Sequence, residues 1–207
     1  MSESAPPSAY GWLQRFFRTV HVHLILPFLQ THDPLPLVAR GASVGVLVGL
    51  TPTVGFQMYL VTMIWFLCRY VFRFRFNFTI AVAMVWISNP ITMIPLYYLF
   101  LMTGDWFRIL LGYPVAEMSF QTFQAAVVAM SAGEELNWFR WLFYGTSVLL
   151  VEFGWPIALG SLAYAVPLGT LSYPFTYVTL RRYRRYLAEA EGLSYAEWRR
   201  RYEAPEP

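Results

Sequence analysis

Apolar residues gather into three long stretches along this chain, and each is interrupted near its middle by a proline among polar or aromatic neighbours. The first, Gly41–Cys68, breaks at Thr51-Pro52-Thr53-Val54-Gly55-Phe56-Gln57. The second, Phe78–Met102, breaks at Ser88-Asn89-Pro90-Ile91-Thr92, and the third, Trp141–Leu180, at Glu152-Phe153-Gly154-Trp155-Pro156. Hydrocarbon cannot satisfy loose backbone groups, so irregular backbone at membrane depth persists only inside protein or around a cavity. Paired interrupted segments therefore mark a candidate binding site.

Length decides what each stretch builds. A spanning helix needs about 20 apolar residues. Folded at Pro52–Gly55, the first run leaves limbs of roughly 12 residues, or about 18 Å, which dip in and return. Folded at Asn89-Pro90, the second behaves alike. The third holds two passes, a short one to Glu152 and a full one over Ile157–Leu180. The expected fold is an all-α integral membrane protein with two re-entrant helical hairpins and a C-terminal transmembrane helix pair. The competing expectation is that the first two runs are single kinked spanning helices.

Arginine order favours the hairpins. Arg40 precedes the first run, Arg69, Arg73 and Arg75 follow it, Arg108 follows the second, and Arg140 and Arg181-Arg182 flank the third. Arg-rich short loops lie in the cytoplasm, so both ends of each stretch are expected there. The two broken runs also resemble a repeat with an offset of 38 residues, Pro52 to Pro90, which brings Met58-Tyr59-Leu60 onto Leu96-Tyr97-Tyr98.

Outside these runs, residues 10–30 form an amphipathic pattern suited to a membrane surface, with Arg15 and Arg18 between apolar positions. Val115–Leu136 reads as a surface helix or flap. The expected organisation is an interfacial segment over 1–33, a membrane domain over 34–182 and a charged cytoplasmic tail over 183–207.

Composition agrees. Hydrophobic residues make up 57% and charged residues 13% of the chain, against about 25% charged in soluble domains. Mean hydropathy is +0.44. Every basic side chain is Arg. Residues 1–12 carry no basic n-region, so insertion is expected through the internal apolar segments. Cys68 stands alone, which excludes an intramolecular disulfide. His21, His23 and His32 are poorly spaced for a helical metal pair. No nucleophile triad, phosphate loop or cofactor fingerprint is present, so neither an enzyme nor a bound cofactor is expected. The arginines after Leu180 read as a lipid-facing anchor rather than a nucleic-acid surface.

The chemistry-bearing residues cluster at the breaks. Thr51, Pro52, Thr53 and Gln57 lie at one tip and Ser88, Asn89, Pro90 and Thr92 at the other. If the tips meet, the N-termini of the second limbs converge there, and a helix N-terminus is a ready anion site. The alternative is that these groups only cap broken helices. Arg40, Arg73 and Arg75 are suited to bidentate contact with phosphate, or to anchoring against headgroups. Glu152 is either a proton-coupling carboxylate inside the membrane or a group in a watery turn. Gly41, Gly45 and Gly49 form a close-packing helix face.

Several of these blocks resemble a bacterial membrane family known as domain of unknown function 2062. They are Pro36-Leu37-Val38-Ala39-Arg40-Gly41, Gly49-Leu50-Thr51-Pro52-Thr53-Val54-Gly55-Phe56-Gln57, Arg73-Phe74-Arg75-Phe76-Asn77 and Trp86-Ile87-Ser88-Asn89-Pro90-Ile91-Thr92. A Gly160-Ser161 helix ending in arginines completes the likeness, over residues 34–182. The resemblance implies a multi-pass protein of the bacterial inner membrane and supplies no catalytic residues. Some members look fused to glycosyltransferase domains. The paired hairpins are also similar to DedA-type membrane proteins, an architectural analogy only.

The function expected is transport or flipping of an anionic lipid-linked molecule, a polyprenyl phosphate or phospholipid. The expected partners are membrane lipids, above all an anionic lipid phosphate, and a second copy of the chain. The alternative is a non-catalytic scaffold for a glycosyltransferase or cell-envelope complex.

Overall fold

The computed structural model describes residues 28, 31–53, 55–113, 121, 123–125 and 154–203. Every regular element among them is a helix: α1 (Leu35–Gly49), α2 (Gln57–Tyr70), α3 (Phe78–Val85), α4 (Pro90–Leu110), α5 (Gly154–Ala190) and α6 (Tyr195–Tyr202). Residues 141–153, most of residues 10–30 and most of Val115–Leu136 lie outside the described residues, so the expected short pass, surface helix and flap do too.

Local chemistry sets the helix ends. Pro36 occupies the first turn of α1, where its missing N–H costs nothing. Thr51-Pro52 closes that helix, because the residue before proline is pushed out of the helical region. Asn77 caps α3 by accepting from the Ile80 amide at 2.8 Å. Asn89 caps α4: its Oδ1 accepts from Thr92 N–H at 3.1 Å, and Thr92 Oγ1 accepts from Asn89 N–H at 3.0 Å. Ser194 and Glu197 form a reciprocal capping box on α6.

α5 is the spine. Leu35, Val38 and Ala42 of α1 cluster with Leu180, and Leu47 sits against Gly169. Ser43 donates to the Gly169 carbonyl at 2.7 Å. Farther along, Val46 and Leu50 join Ala165 and Ile157. α1 therefore runs antiparallel to α5. α4 takes over where α1 stops: Phe100 meets Gly160 and Gly104 meets Pro156, in the same antiparallel sense.

α3 lies beside α1 and runs parallel to it. Gly41, Gly45 and Gly49 face Asn77, Ala81 and Met84-Val85 in turn. A Cβ at Gly45 would overlap the Ala81 carbonyl oxygen, so only glycine permits this approach. The face expected from the four-residue glycine spacing is the packed one.

α2 doubles back. Val61 packs with Val48 and Val85, the Trp65 and Phe78 rings meet at a tilt with centroids 5.6 Å apart, and the Cys68 carbonyl accepts from Phe74 N–H. The first run thus turns round at its proline and returns to the end where it began.

The second run does not, and the expected second hairpin is corrected. α3 follows α1, and α4 continues in α1's direction along α5, so the chain runs on through Asn89-Pro90. The reason is local. Reversal of the first run uses Gly55 at φ 87°, a left-handed conformation that glycine adopts without a Cβ clash. The position 38 residues on is Met93, which is helical. The second break is also shorter, and Pro90 restarts a helix at once.

Among the described residues, no helix is long and apolar enough to cross a membrane. The full pass expected over Ile157–Leu180 falls within α5, whose Gly, Ser, Tyr and Pro residues dilute its apolar character.

Candidate functional site

The two breaks meet. Gln57, the first residue of α2, is 3% exposed, and its Nε2 reaches Ser88 Oγ at 2.8 Å. The same amide donates to the carbonyls of Thr51 at 3.2 Å and Gly49 at 3.3 Å. Carbonyls in the last turn of a helix lack intrahelical partners, so Gln57 closes the end of α1 while tying it to the second break. Ser88 Oγ in turn donates to Gln57 Oε1 at 3.1 Å.

The remaining polar groups of the breaks are occupied locally. Thr51 Oγ1 donates to the Val48 carbonyl at 2.6 Å and pairs with Thr53 Oγ1 at 2.8 Å. Thr92 Oγ1 donates to the Ile87 carbonyl at 2.7 Å. Asn89 and Thr92 cap α4, and Pro52 is buried. Of the two expectations for these residues, capping describes their side chains. α2 starts without a side-chain cap hydrogen bond, Phe56 standing at the cap position. Its first N–H groups carry the positive end of the helix dipole into the junction.

The expected site is divided. Arg40 precedes Thr51 by 11 positions on or just past α1, about 16 Å along the axis. The arginines therefore lie at the base of the molecule, where α1 and α3 begin, rather than at the junction. Arg40 Nη1 donates to the Arg75 carbonyl at 3.3 Å, and its guanidinium stacks 4.9 Å over the Phe74 ring. Arg73 holds φ 51°. Glu152, the expected proton-coupling group, lies outside the described residues, as do His21 and His23.

Charge follows the same division. No charged residue falls in 41–68, 76–104 or 154–180. Most described charges gather at the base. At the opposite end Asp105 and Arg108 pair at 3.5 Å.

Sequence reasoning passed over a clasp at the base. Arg184 is 2% exposed and pairs with Glu203 at 3.1 Å. It also donates to the carbonyls of Thr31 at 3.0 Å and Asp33 at 2.8 Å. Glu203 Oε1 accepts from Leu35 N–H at 3.2 Å, so the C-terminal segment caps α1 from 168 positions away. Burial lowers the Arg184 pKa, and Glu203 opposes that shift. The charged tail is thereby fastened to the rest of the protein. In the sequence Arg184 looks like one member of an arginine run, but Ser194-x-x-Glu197 is a legible capping box that announces α6.

A family model described as an uncharacterized protein conserved in bacteria (DUF2062) matches residues 16–188. No curated protein and no solved structure matches the chain.

Proposed function

Because the chain belongs to the DUF2062 family of conserved bacterial proteins, whose activity is uncharacterised, we propose that it is a multi-pass inner-membrane protein that moves an anionic lipid-linked molecule across the bilayer. A polyprenyl phosphate or a phospholipid has the required chemistry.

Surface chemistry supports the membrane reading. Large apolar side chains stand exposed on α2 (Met63, Phe66), α4 (Leu99, Met102) and α5 (Leu171, Phe175). Soluble monomers rarely expose such continuous apolar surface. The uncharged part of α5, residues 154–180, is about 40 Å long at 1.5 Å per residue, enough in length for a hydrocarbon core of about 30 Å though not in apolarity. α3 and α4, in tandem across their break, cover the same depth although neither does so alone. The arginine-rich base belongs in the cytoplasm by the positive-inside rule. This topology has one re-entrant hairpin, α1–α2, beside two crossing segments, α3–α4 and α5.

The observation that carries the transport reading is the junction of Gln57 with Ser88. It joins two helix breaks midway along an uncharged band and directs the uncapped N-terminus of α2 into it. Such an end attracts a phosphate without placing a fixed cation at membrane depth. Glu152, two positions before α5, supplies proton coupling in this reading. Reconstituted protein carrying Asn89→Ala or Gln57→Ala should flip a fluorescent lipid phosphate more slowly than the parent. Unchanged rates reject the junction as the route.

The second reading, a non-catalytic scaffold for a glycosyltransferase or envelope complex, is favoured by one observation. The polar side chains of the junction are hydrogen-bonded to one another or to local backbone. Recovery of a stoichiometric enzyme partner from detergent, with no lipid movement, selects it. A homodimer is compatible with either reading.

A further inference from the structure

We propose that the base carries a second anion site, separate from the junction, in which Arg40, braced by Phe74 and the Arg75 carbonyl, holds the phosphate of an anionic lipid headgroup in the adjacent leaflet. The proposal rests on the membrane reading but not on transport.

The guanidinium of Arg40 is half-buried and fixed on two sides. Phe74 lies under it at 4.9 Å, and the Arg75 carbonyl takes one Nη1 hydrogen at 3.3 Å. A guanidinium has five N–H donors in a rigid fork, so the others remain directed away from those contacts. Among the described residues, no carboxylate lies within ion-pair distance of Arg40, Arg69, Arg73 or Arg75. A pre-oriented and unneutralised guanidinium matches phosphate bidentately.

The surrounding chain fits a headgroup layer. Tyr70 is 65% exposed and Arg73 is exposed three positions on. Trp and Tyr side chains prefer the depth at which phosphates lie. Arg73 also keeps a left-handed backbone at φ 51°, a conformation in which a long side chain is disfavoured. Arg184, by contrast, is consumed by Glu203 and takes no part.

Phosphate chemistry is shared by lipid headgroups and soluble phosphate, and the test separates them. Protein purified in a non-ionic detergent is offered phosphatidic acid and phosphatidylcholine, and retained lipid is counted by native mass spectrometry. The parent should retain phosphatidic acid preferentially. Arg40→Lys keeps the charge but loses the fork, and should lower retention about tenfold, the scale of one bidentate contact. The variant Arg108→Gln removes a charge at the opposite end, where Arg108 pairs with Asp105, and should retain lipid as the parent does. Retention unchanged in Arg40→Lys overturns the site, and equal loss in Arg108→Gln reduces it to general charge. Displacement by equimolar inorganic phosphate overturns the lipid assignment. Because binding is read without transport, a variant that binds but flips nothing removes only the transport reading.

Discussion

Gln57 and Ser88 are hydrogen-bonded to each other at 2.8 Å across 31 positions of intervening chain, and this pair joins the two helix breaks. The contact is buried, and Gln57 also closes two carbonyls at the end of α1. Removing one partner strands the other, at a cost of about 1–3 kcal/mol. Ser88→Ala should lower the unfolding temperature in detergent. Gln57→Leu combined with Ser88→Ala should cost less than the two single effects added. Additive losses would show that the pair is not a coupled unit.

The glycine face of α1 gives a steric prediction. At Gly45 a methyl group overlaps the Ala81 carbonyl, and overpacking of this kind costs about 1–3 kcal/mol. Gly45→Ala should yield aggregated or poorly folded protein. Gly112→Ala is the comparison: nothing lies near its Cβ, so only its φ of 78° is strained, about 1 kcal/mol. Equal yields of monodisperse protein from both would remove the close approach of α1 to α3.

The clasp should matter more than any exposed ion pair. Arg184 is buried with Glu203, and removing one partner of such a pair costs about 3–5 kcal/mol. Glu203→Ala also strips the cap from Leu35. Limited proteolysis should then cut residues 191–194 rapidly, whereas Glu191→Ala should leave them protected. Equal protection in both variants contradicts a fastened tail.

Acid should loosen α6 in a defined direction. Hydrogen bonds from the Ser194 hydroxyl and backbone hold the Glu197 pKa below its usual value, which is about 4.3. A carboxyl depressed on folding contributes stability above its unfolded pKa and loses it as pH falls through the lower folded value. The protection of α6 amides against hydrogen exchange, taken relative to their intrinsic rates at each pH, should therefore fall below about pH 4. Ser194→Ala should flatten that dependence, and an unaltered profile would contradict the capping box.

The sequence made the breaks legible but not their outcome. Thr51-Pro52 and Asn89-Pro90 both announce helix ends, and both are ends. Whether the chain then reverses depends on one backbone angle, available to Gly55 and not used by helical Met93. The likeness of the two runs concealed that difference. The arginine cluster and the junction residues were all identifiable, and their separation follows from helix geometry, because α1 holds Arg40 and Thr51 about 16 Å apart. Arg184 and Glu203 were hidden for another reason. A buried pair is defined by the tertiary contact, and along the chain each looks like a neighbour of solvated charges.

The route of the chain through the bilayer is most directly read with single thiols in a Cys68→Ser background, placed at Phe72, Tyr113 and Glu191. All three positions are exposed, Phe72 and Glu191 at the base and Tyr113 beyond the end of α4. In sealed vesicles of known orientation, a membrane-impermeant reagent should modify positions 72 and 191 from one face and position 113 only from the other. Modification of all three from the same face would contradict a second segment that runs on through Asn89-Pro90, and with it the account of the junction given above.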